Sequence, residues 1–146
     1  MLSKRLYSLG FMFSPNGQYV VLIRKTKPEW QKGHLNGVGG KVENGELFSD
    51  AMVREFEEET GVVTSISDWH QFATMTGEEW VVACFVAFDL KFDHVSTKTE
   101  EVIFVCDVNR VLAGHEGSII PNLQWLIPMA LSEEGVTAEI HHPSQP

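Results

Sequence analysis

The stretch from Gly40 to Val62, GKVENGELFSDAMVREFEEETGV, decides how this 146-residue chain is read. Phe48, Met52, Phe56 and Thr60 recur every four residues and Gly61 follows them, which predicts a helix from Phe48 to Thr60 with one core-facing side and a glycine stop. Each helical residue turns the chain by about 100°, so Glu55, Glu58 and Glu59 share a sector of about 100°, while Glu57 points about 160° away from Glu55. Three carboxylates on one face repel one another unless something positive sits among them. Two readings stand on the residues alone: a solvated helix face, or a site for a hard cation. Mg²⁺ suits the second, because it takes oxygen ligands, keeps waters and shares coordination with substrate phosphates. The glycines that lead into the helix let backbone come close to metal or phosphate.

Working outward, the residues before this stretch read as a hairpin. Leu6–Phe13 is a strand, Ser14-Pro15-Asn16-Gly17 a turn, and Gln18–Arg24 the returning strand. A glycine-rich loop, PEWQKGHLNGVGGKVENGE, connects it to the helix. Beyond Gly61, strands are predicted over about Ile66–Met75, Trp80–Leu90 and Val102–Asp107, and a second helix from near Pro121 to Leu131. Trp80–Leu90 is almost continuously apolar, as a strand covered on both faces would be. The pattern is α/β (α+β): a mixed sheet with helices against it. Residues 1–132 are expected to form a single domain, and 133–146 a partly flexible C-terminal tail.

Composition narrows the function classes. At 43% hydrophobic and 21% charged the chain is of globular type, and no apolar run reaches the roughly 20 residues of a membrane span. Net charge is −9, and residues 40–62 carry seven acids against Lys41 and Arg54. Such a chain repels bare nucleic acid and membrane surfaces. Lys4 and Arg5 precede only a short, interrupted apolar stretch, so the beginning reads as a strand rather than a signal peptide, and a cytoplasmic location is expected. Cys84 and Cys106 sit inside apolar runs and are expected as buried free thiols, and histidine spacing gives no support for zinc.

The spacing across the whole stretch adds a resemblance. Gly40, five residues, Glu46, seven residues, Arg54-Glu55, Phe56, one residue, Glu58-Glu59, one residue, Gly61 and Val62 match the Nudix box throughout. The chain resembles the Nudix hydrolase family (MutT-like nucleoside diphosphate-X hydrolases), with the box at 40–62 and weaker similarity over about residues 3–131. The resemblance implies a Nudix-type α/β/α sandwich with the box as loop–helix–loop. It also implies Mg²⁺-dependent hydrolysis of a nucleoside diphosphate linked to another group, and leaves open whether Mn²⁺ replaces Mg²⁺. Position by position, Glu55, Glu58 and Glu59 correspond to the metal-binding carboxylates, with Glu55 alternatively deprotonating or orienting the water. Gly39 corresponds to the residue that offers a backbone carbonyl to the metal. Arg54 and Glu46 correspond to the pair that holds the loop against the helix, and Lys41 either neutralises phosphate or is simply solvated. One departure stands out. Leu47 occupies the place where many members carry Ser or Thr, so Ser49 or Asp50 is expected to cap a helix that starts late.

Outside the box, Glu100 and Glu101 are candidates for an additional base or ligand, or else surface acids, with Glu78 and Glu79 next. Trp30, Trp69, Trp80 and Trp125 are available either to stack on a base or to fill the core; Trp30 and Trp80 are carried forward as substrate contacts. Asn122 either hydrogen-bonds a purine or caps the last helix. The proline and tyrosine that mark ADP-ribose and dinucleoside-polyphosphate branches are missing around Gly77–Trp80. This favours a (deoxy)nucleoside triphosphate, oxidised or not, cleaved to monophosphate and pyrophosphate. ADP-ribose or a nucleotide sugar is the nearest alternative, and a non-catalytic nucleotide-sensing module the alternative of another class. The sequence is silent on oligomeric state; dimers are common in the family, which leaves a homodimer open.

Overall fold

The computed structural model describes residues 3–132 and 138–141. Eight strands are present among them: β1 (Arg5–Phe13), β2 (Tyr19–Arg24), β3 (Leu35–Asn36), β4 (Val38–Lys41), β5 (His70–Thr76), β6 (Trp80–Phe88), β7 (Ile103–Asp107) and β8 (Ala138–His141). Three α-helices accompany them: α1 (Phe48–Thr60), α2 (Val108–Leu112) and α3 (Leu123–Leu131). The strands run in the order β3-β2-β1-β6-β5-β8, with β4 also paired to β1 and β7 to β2. The sheet is mixed, since β1 lies parallel to β6 and β5 to β8 while the other pairs are antiparallel.

Adjacent residues of the central strands face different cores. Phe11, Phe13, Val20, Leu22, Val82, Cys84 and Val86 pack with Leu123, Leu126 and Ile127 of α3 and Val108 and Val111 of α2. Their neighbours Met12, Val21, Ile23, Ala83, Phe85 and Ala87 pack with Met52 and Phe56 of α1. A strand alternates its side chains with period two, so two covered faces make an uninterrupted apolar run. The result is the expected sandwich, with helices on both faces of a mixed sheet. Burying Met52 and Phe56, both 0% exposed, contributes about 1.5–3 kcal/mol each and holds α1 in place. Gly10 of β1 leaves the room that Met52 fills, since a Cβ there would stand 2.5 Å from the Met52 sulfur.

Helix α1 begins at Phe48, not later. Its N-cap is the extended Leu47, whose backbone N–H donates to Asp50 Oδ2 at 2.9 Å. Thus Asp50 satisfies the helix start from its third position, and no capping hydroxyl is needed. Ser8 of β1 donates to the Phe48 carbonyl at 2.7 Å, tying the same end to the sheet. At the other end Gly61 adopts φ 79°, and its N–H donates to the Glu57 carbonyl at 2.8 Å.

Several expected boundaries shift for local reasons. The strand expected from Ile66 starts only at His70, because Ser65 N–H bonds Asp68 Oδ2 at 2.8 Å and folds Ile66–Asp68 into a 3₁₀ turn. The strand from Trp80 ends at Phe88, where Asp89 accepts the Lys91 N–H and starts a second such turn. The glycine-rich loop contains β3 and β4. Helix α2 escaped the sequence reading because its cap, Asp107, is also the last residue of β7. Within the segment read as a tail, Ala138–His141 adds β8 beside β5; its remaining residues, 133–137 and 142–146, lie outside the described ones. Both cysteines are free and buried, and burial pushes the Cys84 thiol up to about 12 and that of Cys106 to about 11. No helix among the described residues is long and apolar enough to cross a membrane.

Candidate active site

Arg54 organises the acidic face of α1. Its Nε and one terminal nitrogen grip both Glu46 oxygens at 2.8 and 3.0 Å, and that nitrogen also donates to the Lys41 carbonyl at 2.9 Å. The other nitrogen donates to Glu55 Oε1 at 2.9 Å and to Glu58 at 3.2–3.3 Å. Glu46 Oε1 in turn accepts the Glu43 N–H at 2.8 Å, closing the loop before the helix. A planar guanidinium suits this two-sided arrangement, which a lysine ammonium would not reproduce. Its hydrogen bond to Arg54, then the Glu43 N–H, hold the Glu46 carboxyl below its ordinary value.

Glu55 and Glu59 differ from their neighbours in burial. Desolvation pushes both carboxyls above the ordinary value, against the hydrogen bonds each receives, and the nearby charge of Glu58 pushes the same way. The Glu59 carboxylate accepts the Thr99 hydroxyl at 2.9 Å. Glu58 is 55% exposed, and Glu57 is exposed as well. Gly40 lies directly under Glu55: a Cβ there would stand 2.5 Å from the Glu55 carboxyl carbon. At Gly39 a Cβ would overlap the Ser8 carbonyl, so β4 can run beside β1 here only without side chains.

On the α3 side of these glycines opens a cleft of about 250 Å³. Gly39 and Gly40 form one wall, Leu9, Met75, Val82, Ile120 and Leu126 an apolar one, and Lys25 and Lys27 supply positive charge. Three amides face it, from Gln31, Asn36 and Asn122. Asn36 is fixed, with Nδ2 donating to Gln31 Oε1 at 3.1 Å and Oδ1 accepting the Gly37 N–H at 2.8 Å. Asn122 makes no side-chain cap to α3, and among the described residues its amide has only a weak 3.8 Å contact to the Met75 sulfur.

The structure sorts the sequence candidates. Glu46, Arg54, Glu55 and Glu58 form one network, and Glu59 adjoins it. Of the two acids outside the box, Glu101 is 5% exposed and its charge acts on Glu59, whereas Glu100 is exposed. Glu101 accepts Lys25 Nζ at 3.1 Å and the Thr26 N–H at 2.6 Å. Lys41 is exposed at the end of β4. Trp30 sits on the turn between Pro28 and Gln31, 37% exposed, outside the cleft lining. Trp80 requires a correction: its indole is 4% exposed, packs over Gly77 and belongs to the core on the α3 face, so it is closed off from a base. Sequence reasoning assigned no role to Lys25, Lys27, Gln31, Asn36 or Thr99. Only Asn36 carried a signal, its place in the LNGVGG loop.

The donor set fits a hard cation in kind: carboxylate oxygens, two of them desolvated, beside a bare backbone strand at Gly39-Gly40. Among the described residues, however, no three acidic, histidine or cysteine side chains are gathered into a ready-made cage. Glu55 and Glu58 accept Arg54, and Glu59 accepts the Thr99 hydroxyl.

Comparison with known proteins identifies the family. The NUDIX domain family model matches residues 4–128. The mouse oxidized purine nucleoside triphosphate hydrolase is 35% identical over 78 residues, covering 53% of this chain and 47% of that protein. The uncharacterized Nudix hydrolase YvcI of Bacillus subtilis is 30% identical over 99 residues, 63% of this chain and 60% of that protein. The match thus spans about half to three fifths of these relatives. Among solved structures, a MutT from work on Aliivibrio salmonicida and Vibrio cholerae superposes with a TM-score of 0.70 at 21% identity, covering 88% of this chain and 98% of that one. The MutT protein of Bacillus halodurans gives 0.69 at 19% identity, over 95% and 90%. A family match over residues 4–128, together with the sheet and the acidic helix described above, places this chain in the Nudix family.

Proposed function

We propose that the chain hydrolyses a phosphoric anhydride in a nucleoside diphosphate-X compound with the help of Mg²⁺ or Mn²⁺. The favoured substrate is a (deoxy)nucleoside triphosphate, including oxidised purines, giving monophosphate and pyrophosphate. One observation carries the reading: Gly40 is in contact with Glu55 on one side and lines the amide-faced cleft on the other. A base in that cleft would thereby have its phosphates directed toward the acidic face of α1. The name of the mouse relative supports the triphosphate class.

Glu58, Glu59 and the Gly39 carbonyl are the groups that would hold the cation, which leaves Glu55 to act on the water. When bound, it supplies charge neutralisation for the diphosphate and a lowered pKa for the attacking water. The remaining work falls to the chain. Lys25 and Lys27 face the polyphosphate from the cleft, and Lys41 from the end of β4. Arg54 keeps Glu55 and Glu58 oriented. Glu55, whose burial raises its proton affinity, accepts the water proton at its carboxylate as the water oxygen bonds to phosphorus and the anhydride P–O bond breaks. Asn122 and Asn36 present amide edges to the base.

The test is release of phosphate and pyrophosphate, with Mg²⁺, across nucleoside triphosphates, oxidised dGTP, ADP-ribose, nucleotide sugars and dinucleoside polyphosphates, using E59Q as the blank. A kcat/KM of about 10⁴ M⁻¹s⁻¹ or more on triphosphates supports the reading. The same efficiency on ADP-ribose or sugars alone moves it to that branch. Silence across the panel by folded, cation-binding protein favours a nucleotide-sensing module.

A further inference from the structure

Glu59 stands on the last turn of α1, next to the partial negative charge of the helix C-terminus and close to Glu58 and Glu101. Its hydrogen-bond donor comes from outside the box, from Thr99 on the connection between β6 and β7. The Thr99 oxygen also accepts the Glu101 N–H at 3.1 Å, which leaves its single hydrogen for Glu59 Oε2. This connection is tied down on both sides. Ser96 N–H donates to the Thr60 carbonyl at 3.0 Å, Ile103 N–H to Thr97 Oγ1 at 3.0 Å, and Arg24 N–H to the Val102 carbonyl at 2.9 Å. Lys25 and Thr26 hold the Glu101 carboxylate, and the Lys98 stem crosses Gly61.

From this geometry we infer that Thr99 is a positioning residue: its hydroxyl holds one oxygen of Glu59 so that the other is presented to the cation. The inference rests on the cation-dependent reading above. A glutamate side chain carries substantial rotamer freedom, and a donor on a fastened segment removes part of it before the cation arrives. One lone pair of Oε2 is used, and the remaining pairs of the carboxylate stay available.

The experiment titrates Mn²⁺ alone, by calorimetry, into wild type, T99V, T99S and E59Q, and records Tm for each. T99V is expected to weaken Mn²⁺ about tenfold, the size of one hydrogen bond to a charged group. T99S, which keeps the hydroxyl, should stay within about twofold of wild type. In turnover, T99V should need more Mn²⁺ for half-maximal rate at an unchanged KM for the nucleotide. Wild-type Mn²⁺ affinity in T99V, whatever its Tm, overturns the inference, because a merely structural threonine would move only the melt. Equal losses in T99S and T99V overturn it too, as does a wild type that binds no Mn²⁺. A wild type that binds Mn²⁺ through Thr99 yet cleaves nothing on the substrate panel sinks the hydrolase reading and leaves this one standing.

Discussion

The Glu55 carboxyl rests against Gly40, with its carbon 2.5 Å from where a Cβ at that position would be. What yields to a new methyl group decides the consequence. At Gly40 it is the far end of a flexible side chain, so G40A should fold, lose little stability and displace the carboxylate. At Gly39 it is the backbone of β1, which has nowhere to go. We therefore expect G40A to cut kcat by about 100-fold, since small misplacements at a reacting centre are that costly. G39A should lose about 1–3 kcal/mol of stability or more, the usual range for overpacking. Urea unfolding and kcat on both variants check the contrast, and equal stability losses would contradict it.

The register of α1 makes a second prediction. E58Q and E59Q should each lower turnover by orders of magnitude, while E57Q, on the exposed opposite side, stays within about twofold. Comparable losses in all three would show that total charge, not the face, matters.

Much of this was legible in sequence, and the reasons are physical. Helix α1 and its carboxylate face follow from a periodicity of 3.6 and from a glycine stop, both local properties. The buried strands follow from apolar runs. What escaped depends on partners distant in the chain. Strand β4 pairs with β1 through Ser8↔Gly40 and Leu9↔Gly39, where a Cβ at Gly39 would overlap the Ser8 carbonyl, about thirty residues away in the chain. The cleft draws on residues from Tyr7 to Leu126, and no spacing announces that Lys25 and Asn122 share it. Trp80 was misread because an aromatic at a strand start looks the same whether it faces a base or Gly77.

Acid should probe the Lys25–Glu101 pair. Burial pushes the Glu101 carboxyl up, but the Thr26 N–H, Lys25 and the Thr26 hydroxyl outweigh it and hold it below the ordinary 4.5. A lowered folded-state value means stability that is present above 4.5 and lost as pH falls through the folded value. E101Q should cost about 1–3 kcal/mol at pH 7, by leaving Lys25 partly buried without its partner. The variant should also lose less than wild type between pH 5 and pH 3. Urea midpoints across that range measure both, and parallel curves would refute the assignment.

Mg²⁺ should stabilise the protein in a pH-dependent way. Burial raises Glu55 and Glu59 above 4.5, so from there up to their folded values the metal-free fold loses stability as pH rises. A cation offsets that charge. At tenfold excess over its Kd it adds about 1.4 kcal/mol, or about 3–6 °C in Tm for a chain of this size. The shift should be larger at pH 8 than at pH 5, and absent in E59Q. An equal shift in E59Q would place the binding elsewhere.

The two-faced sheet divides the labour of the molecule by residue parity. On β6, Val82 lines the cleft while Ala83, its neighbour, packs beneath the acidic helix. Substitutions that reshape the cleft therefore fall on one set of positions, and those that support α1 on the alternate set. Selectivity can drift while the carboxylates stay where they are. Gly40 belongs to both neighbourhoods, since it lines the cleft and lies against Glu55, and it is there that a change of cleft shape and a displaced carboxylate become the same mutation.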